Sequence, residues 1–418
     1  MRSGRRVVIV GAGPAGLLAS ISAAEAGARV MLLERGPKMG RKLRLTGKGR
    51  CNITNTATVE RFIKAFGPNG KFLYGAFSRY FREDVLALLD RMGVPTKAER
   101  GGRVFPASDS ALDVANALER RALEAGVEVR LNARAKSLLL SDTGEVAGVA
   151  LYHGTVAAGA VVVATGGLSY PGTGSTGDGY ALAQQAGHTV TPTRPALAPI
   201  LIAERWVGAL SGLALKNVEA RLMVGDPPVR AAREFGEMLF THTGVSGPII
   251  LTISRHVPLP SSGQRAVLEL DLKPAVSREE LDRRLIREFA RPGKLGPYLR
   301  RLMPHALADA LVGSLGLDGA RPLNQITAAE RRTILDALKG LPLHVRGLAP
   351  IEEAIVTAGG VALSEVDPRT MMSRRARGLF FAGEVLDLDA ETGGYNLQAA
   401  FSTGWVAGWA AAQHALSR

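Results

Sequence analysis

The sequence predicts an α/β fold with a doubly wound parallel sheet, which both ends of the chain build together. Near the N-terminus, two apolar runs, Val7–Val10 and Val30–Leu33, flank a helical stretch over 14–27. Two further apolar runs, at 161–164 and 378–382, have the composition of strands that are buried on both faces, as in parallel sheets. Between these last two runs the pattern changes, which indicates inserted structure.

The first apolar run ends in GAGPAG, which places Gly11, Gly13 and Gly16 at the spacing of a dinucleotide-binding turn. There the first glycine allows a tight bend, the second lets the backbone approach a pyrophosphate, and the third lets the helix pack closely. The second run closes on Glu34, eighteen residues after Gly16, where a carboxylate can accept hydrogen bonds from a ribose. Because strand, glycines, helix, strand and acid follow in this order, we predict a dinucleotide site.

The rest of the chain divides by texture. From about residue 193 short alternating runs indicate antiparallel strands, and residues 277–346 are helical, charged and leucine-rich. We predict a discontinuous Rossmann-like domain over 1–192 plus 350–418, an inserted antiparallel β domain over 193–275 plus about 345–352, and a small helical domain over 276–345. A second Gly-x-Gly-x-x-Gly run, at 172–177, lies well beyond its strand, and we interpret it as a mobile or ligand-lining loop.

The second strong signal lies between Gly378 and Gly408, where a strand ends at Gly383-Glu384 and Gly393-Gly394-Tyr395-Asn396 opens an alanine-rich helix. Two-lobed FAD enzymes need such a second piece, with an acid at a strand end near the ribityl or phosphate region. The N-terminus of the following helix then stabilises negative charge at the pyrimidine edge of the flavin. The dinucleotide predicted by this sequence is therefore FAD.

Together these segments resemble the BaiN/YhiN-like FAD-dependent oxidoreductases, also described as aminoacetone-oxidase-like flavoproteins. The resemblance covers essentially the full length and rests on GAGPAG, TGKGRCNITN (46–55), ATGG (164–167), GDGYALAQQAGH (177–188), LFTHTGVSGP (239–248) and AGEVLDLDAETGGYNLQ (382–398). It implies a bound FAD without a separate nicotinamide-binding domain. It also implies reduction of activated C=C bonds, either of uridine to dihydrouridine in large-subunit ribosomal RNA or of bile-acid enones.

On these motifs we expect the cofactor to be held by residues of four segments, with NAD(P)H as a transient reductant. The expected FAD-binding residues are Gly11, Gly13, Ala15, Gly16, Glu34, Arg35, Arg41, Lys42, Thr46, Gly47, Arg50, Asn52, Thr165, Gly166, Gly383, Glu384, Gly394, Tyr395, Asn396 and Leu397.

The charge of the chain is strongly positive, with 52 Lys and Arg against 38 Asp and Glu, a net charge of +14. Seven of these cations lie from Arg35 to Arg50, more than the roughly two phosphate charges of a dinucleotide neutralise. This surplus favours an anionic substrate, and we expect Lys48, Arg44, Arg374 and Arg375 to contact substrate or RNA. An arginine-rich proteome or a solvated surface explains the same composition, so both interpretations stay open.

Cys51 is the first candidate for chemistry, because it lies in a glycine- and lysine-rich loop shortly after Glu34. A single cysteine excludes a dithiol relay, but one thiol can protonate one carbon while hydride is delivered to the other. Lys48 and Arg50 are expected to favour its thiolate. The alternative role for Cys51 is that of a small buried residue.

Two further catalytic candidates are His242, within THTG, and Tyr395, beside the expected flavin edge. His242 is equally compatible with a structural, hydrogen-bonded histidine, and Tyr395 with a residue that shapes the pocket. No histidine has the spacing of a metal ligand set, so we expect no metal.

Three function classes therefore remain: an FAD-dependent reductase that converts uridine to dihydrouridine in 23S-type ribosomal RNA, a small-molecule enone reductase or amine oxidase, and a non-catalytic redox-sensing flavoprotein. The basic loop favours the first, with ribosomal RNA or a ribosomal precursor as partner. No apolar stretch reaches bilayer-spanning length and the N-terminus leads directly into a core strand, so we expect a cytoplasmic protein without a membrane partner. The sequence does not predict the oligomeric state.

Overall fold

The computed structural model describes residues 5–417, without the side chain of Pro260. The chain divides into two compact units, one formed by residues up to Ala196 together with those from Ile351 onward, the other by Leu197–Pro350. The first part of the first unit contains β1 (Arg6–Val10), α1 (Pro14–Glu25), β2 (Arg29–Leu33), β3 (Thr54–Asn55), α2 (Val59–Ala65), α3 (Tyr74–Phe77), α4 (Arg82–Arg91), β4 (Thr96–Ala98), β5 (Arg103–Pro106), α5 (Ala111–Glu124), β6 (Glu128–Arg130), β7 (Ala135–Leu140), β8 (Val146–Leu151), β9 (Thr155–Ala157), β10 (Ala160–Val163), α6 (Asp178–Gln185) and β11 (Arg194–Ala196).

The second unit is an antiparallel β-barrel with helices. Its elements are β12 (Ile200–Ile202), β13 (Ala214–Val224), β14 (Val229–Phe240), β15 (Gly244–Ser246), α7 (Pro248–Ser254), β16 (Ala266–Asp271), α8 (Arg278–Phe289), α9 (Leu295–Leu302), α10 (His305–Ser314), α11 (Ala328–Gly340) and β17 (Leu341–Leu348). The barrel closes in the order β12-β15-β14-β13-β16-β17, and α8–α11 share one hydrophobic cluster with it.

The chain then returns to the first unit with β18 (Val356–Ala358), β19 (Leu379–Phe381) and α12 (Tyr395–Leu416). A five-stranded parallel sheet lies at the centre of this unit, in the order β19-β10-β1-β2-β6. Strand β19 pairs with β10 through Val161 and Leu379. Both ends of the chain therefore build one sheet, as predicted, and the predicted α/β fold class with an antiparallel β unit and helices is confirmed.

The parallel direction of the strands brings the sequence motifs to one edge of this sheet, because carboxyl ends of parallel strands lie side by side. Gly11 follows β1, Glu34 follows β2, Ala164 follows β10 and Gly383 follows the turn after β19. This edge is where the candidate site lies.

Two sequence expectations differ from this architecture. The helical pattern was expected to continue to Arg346, but β17 begins at Leu341, where the run Leu-Pro-Leu-His-Val alternates buried and exposed positions. The helical segment is not a compact unit of its own in this division, since its apolar faces pack with the barrel. The exact boundaries of the three predicted domains stay a prediction. No helix in the described part of the chain is long and apolar enough to cross a bilayer.

Helix α12 packs against α1 through two glycines. A Cβ atom at Gly404 would lie 2.3 Å from the carbonyl oxygen of Ala15, and one at Gly408 would lie 2.1 Å from that of Ala19. Neither distance is possible for real atoms, so both positions need glycine for the helices to approach. This contact holds the C-terminal helix against the N-terminal dinucleotide-binding segment.

Replacing Gly408 with alanine is therefore expected to lower the free energy of unfolding by about 1–3 kcal/mol, the usual cost of overpacking. The matched control is Gly313→Ala in α10, where a Cβ meets no atom within 4 Å. That change is expected to stabilise by about 0.4–1 kcal/mol through the unfolded state. Urea unfolding of the two variants measures the difference, and equal effects would contradict the proposed close packing.

Candidate cofactor and active site

The turn between β1 and α1 has the geometry that the glycine motif predicts. Gly11 adopts a φ of 100°, and its N–H donates to the carbonyl of Leu33 at 2.8 Å. A Cβ at Gly16 would lie 1.8 Å from the oxygen of Gly11, so this glycine is needed for the helix to meet the strand. At Gly13, by contrast, no atom lies within 4 Å of an added Cβ. The space above Gly13 is open, as a bound pyrophosphate requires.

Gly13 is also the N-cap of α1 and has an extended backbone, with no side chain capping the helix. The first N–H groups of α1 therefore lack intrahelical partners, and the positive end of the helix dipole lies at the open space. Ala15 is buried in the first turn. This combination fits the phosphates of a dinucleotide.

The carboxylate of Glu34 is fixed at the end of β2. It accepts hydrogen bonds from the N–H of Ala12 at 2.9 Å and of Gly36 at 2.7 Å. Its neighbour Arg35 forms an ion pair with Asp178 at 3.1 Å and also binds Thr176. Glu34 is thus held beside the glycine turn, in the position from which it can meet a ribose.

The N-terminus of α12 is held by the loop that contains Cys51. The Asn52 amide accepts from the N–H of Gly394 at 3.0 Å and donates to the carbonyl of Thr54 at 3.1 Å. A Cβ at Gly394, which has a φ of 95°, would lie 2.3 Å from the oxygen of Thr54. The two predicted FAD-binding segments, far apart in sequence, therefore lie in direct contact.

Asn396 and Leu397 follow in the first turn of α12. The Asn396 amide donates to the carbonyl of Ala390 at 3.0 Å and accepts from its N–H at 2.9 Å. Its side chain thus orders the preceding loop, which leaves the backbone as the part that can meet a cofactor. Leu397 is half-buried against the core.

Lys42 and Glu384, both predicted to bind the cofactor, bind each other. The Lys42 Nζ lies 2.6 Å from Glu384 Oε2 and 2.7 Å from the hydroxyl of Ser169. Glu384 Oε1 accepts from the N–H of Thr357 at 2.8 Å and from the Ser169 hydroxyl at 2.9 Å. The preceding Gly383 packs on Ala15, because a Cβ there would lie 2.8 Å from the Ala15 methyl.

Ser169 and Thr357 were missed by the sequence analysis. Ser169 lies two residues beyond the ATGG motif, which was a usable signal, whereas nothing around Thr357 distinguished it. The network joins the loop after β2 to the strand ends near the C-terminus.

The remaining predicted cofactor residues take up local roles at the same edge. The Thr46 hydroxyl donates to the carbonyl of Leu43 at 2.7 Å, and Gly47 adopts a φ of 58°. Gly166, with a φ of 73°, lies under Ser175. The buried hydroxyl of Thr165 has no hydrogen-bond partner within residues 5–417.

Cys51 is completely buried, and burial raises the pKa of its thiol to about 12. The expectation that Lys48 and Arg50 would favour a thiolate is wrong. Lys48 is exposed, and the Arg50 guanidinium is bound by Glu99 and Asp109, each at 2.5 Å. At neutral pH the Cys51 thiol therefore keeps its proton.

The other two catalytic candidates lie in different units. Tyr395 is buried, with its ring edge-on to Phe62 at a centroid distance of 4.7 Å, and burial raises the pKa of its hydroxyl. The guanidinium of Arg61 lies 5.3 Å from the same ring. His242 is exposed in the turn between β14 and β15 of the second unit. Cys51 and Tyr395 are each one residue away from the hydrogen-bonded pair Asn52 and Gly394.

The basic loop is less charged than its sequence suggests. Four of its seven cations have carboxylate partners from other segments: Arg35 with Asp178, Lys42 with Glu384, Arg44 with Glu119, and Arg50 with Glu99 and Asp109. The expected surplus beside the cofactor is therefore reduced to Lys38, Arg41 and Lys48, for which the described residues provide no ion-pair partner.

Of the four residues expected to meet RNA, Arg44 is wrongly assigned as a surface cation. Its side chain is only 9% exposed, and it is held by Glu119 at 2.5 Å and Asn116 at 2.9 Å. Arg375 is exposed but binds Glu365 at 2.8 Å. Lys48 and Arg374 are exposed.

A cavity of about 610 Å³ opens beside this loop. Arg41, Arg44 and Leu45 line one side, and the segment from Tyr170 to Thr173 lines another, with Glu352. This segment overlaps the glycine-rich loop that was interpreted as mobile or ligand-lining.

Comparison with known proteins identifies the family. The family model of the "HI0933-like protein Rossmann domain" matches residues 5–410. The chain is 32% identical to the "Ribosomal RNA dihydrouridine synthase" of Escherichia coli K12, over 96% of each chain. It is 30% identical to the "3-dehydro-bile acid delta(4,6)-reductase" of Clostridium scindens, over 98% of this chain and 99% of that one.

Among solved structures, the fold is similar to that of a 3-ketosteroid-delta4-(5alpha)-dehydrogenase from Rhodococcus jostii RHA1. The TM-score is 0.52 at 18% identity, over 97% of this chain and 96% of the other. The open turn at Gly13, the fixed carboxylate of Glu34 and the contact between Asn52 and Gly394 fit a flavin dinucleotide held between both ends of the chain. The chain belongs to the HI0933-like family of FAD-dependent oxidoreductases.

Proposed function

We propose that this protein reduces the C5=C6 bond of a uridine in 23S-type ribosomal RNA, with NAD(P)H as the source of electrons. The observation that carries the proposal is the 32% identity to a ribosomal RNA dihydrouridine synthase over nearly the whole of both chains. The strong positive charge of the chain supports it, because cationic surfaces attract nucleic acid and raise encounter rates.

FAD, when bound, supplies the hydride for this reduction. The N-terminus of α1 and Gly13 would hold its pyrophosphate, and Glu34 would accept from its ribose. The ion pair of Lys42 and Glu384 would orient the segments that carry these groups. The N-terminus of α12, held by Asn52, would place a positive dipole end where negative charge develops.

The residue proposed to hold the second hydrogen is Cys51. Its thiol is protonated at neutral pH, as a general acid must be. Burial keeps the thiol out of exchange with bulk water, so its proton is reserved for a bound reactant. Tyr395, which also keeps its proton, is the second candidate at this position.

A small-molecule enone reductase is the alternative, since the chain is 30% identical to a bile acid reductase over nearly its full length. The cavity of the first unit favours the RNA proposal over this one. It is lined by two arginines, a glutamate and a tyrosine, whereas a steroid would need a mostly apolar enclosure.

The test is to delete the gene and search the 23S-type ribosomal RNA by mass spectrometry. We expect one uridine to lose its two-hydrogen mass increment, and the wild-type gene supplied on a plasmid to restore it. The purified protein with FAD and NADPH should add the same increment to RNA from the deletion strain. Unchanged RNA in the deletion strain, together with turnover of a steroid-type enone, would transfer the proposal to the small-molecule class.

A further inference from the structure

The cavity beside the basic loop is separate from the dinucleotide cradle. Its volume of about 610 Å³ lies in the range of small-ligand sites. None of Gly11, Gly13, Gly16 and Glu34 belongs to its lining. A ligand in this cavity therefore meets a different set of residues from those that fit the pyrophosphate and ribose.

Tyr170 presents an aromatic ring at this cavity from an unusual backbone. Its φ is 53° and its ψ is 57°, a left-handed conformation that few non-glycine residues adopt. Such strain persists mainly where surrounding structure imposes it, often at ligand sites. Here the Thr173 N–H and hydroxyl both donate to the Tyr170 carbonyl, at 2.8 and 2.7 Å, which fixes the turn. The side chain stays 37% exposed.

The charges at the cavity are one cation and one carboxylate. Arg44 is neutralised by Glu119. Arg41 has neither a hydrogen bond nor an ion pair with any part of the chain that the structure describes, and the carboxylate of Glu352 is exposed. A purely anionic ligand would be repelled by Glu352, and an apolar one would leave Arg41 without a partner.

A nucleotide offers the complementary set of groups. Its phosphate matches a guanidinium, its base stacks on an aromatic ring, and the N–H groups of its base donate to a carboxylate. We propose that this cavity binds one nucleotide of the RNA strand, with the base on Tyr170 and the phosphate against Arg41. The identity of the strand rests on the proposed function, whereas the recognition chemistry comes from the cavity itself.

The experiment measures binding of a labelled single-stranded RNA heptamer to the FAD-loaded protein by fluorescence anisotropy at several salt concentrations. Tyr170→Ala is expected to weaken binding about 5- to 100-fold, the loss of one base–aromatic stack. Tyr170→Phe should retain it. Arg41→Gln should lower the slope of log affinity against log salt by about 0.7, the contribution of one phosphate contact on a single strand.

Matched controls are Tyr74→Ala, which removes another exposed tyrosine, and Arg29→Gln at the start of β2, the end of the strand far from Glu34. Both should bind the heptamer as the wild type does. The inference is overturned if the wild type does not bind, if Tyr170→Ala equals Tyr74→Ala, or if Arg41→Gln releases FAD without changing the salt slope. The proposed function fails separately, when ribosomal RNA from the deletion strain keeps its dihydrouridine.

Discussion

Replacing Gly13 with leucine is expected to abolish FAD binding while leaving the apoprotein folded. The backbone of Gly13 is extended, with a φ of −74°, and nothing lies within 4 Å of an added Cβ, so the chain itself accommodates a side chain. That side chain would occupy the open space in front of α1 where the pyrophosphate is expected. Titration of the apoprotein with FAD should show a loss of at least about 100-fold in affinity, roughly 2.7 kcal/mol.

The companion variant is Gly16→Ala, which should fail in a different way. Its Cβ would lie 1.8 Å from the carbonyl oxygen of Gly11, so the helix and the strand must separate. We expect lowered thermal stability even without FAD. If Gly13→Leu bound FAD with wild-type affinity, the glycine turn would not be the phosphate site.

Replacing Cys51 with alanine is expected to leave FAD bound and to slow substrate-dependent reoxidation of the reduced flavin at least about tenfold. Positioned general acids usually contribute about 10²–10⁴-fold, so a tenfold loss is a conservative threshold. Because burial raises the pKa of this thiol to about 12, the wild-type rate should not vary with thiolate formation near pH 8.5. Stopped-flow absorbance in single turnover measures the step.

A packing role for Cys51 gives a different pattern of results. The side chain is fully buried, so its truncation would then lower stability without changing the single-turnover rate. Tyr395→Phe is the matched variant for the second candidate, since it keeps the ring packed against Phe62 and removes only the hydroxyl. A wild-type rate in Cys51→Ala, with Tyr395→Phe slowed, would assign the proton to Tyr395.

The sequence predicted the parallel sheet well because its signals are local. Apolar runs of strand length and glycines in a fixed order describe one strand–turn–helix unit at a time, as at Val7–Gly16. The return of the chain at 378–382 was also predictable, since an all-apolar run of this kind can be buried only within a sheet.

The partners of the charged side chains were not predictable, because they depend on contacts between distant segments. Arg44 meets Glu119 and Lys42 meets Glu384, across 75 and 342 positions of sequence. Counting cations from Arg35 to Arg50 therefore overstated the free positive charge. The left-handed conformation of Tyr170 was also hidden, because tyrosine has no intrinsic preference for it.

The central claim is that both ends of the chain form one FAD site, and amide hydrogen exchange with and without FAD tests it most directly. We expect one FAD to bind per chain and to slow exchange both in the turn from Gly11 to Gly16 and at the start of α12, from Gly394 to Leu397. Protection of one segment alone, or protein that remains colourless in excess FAD, would contradict the claim.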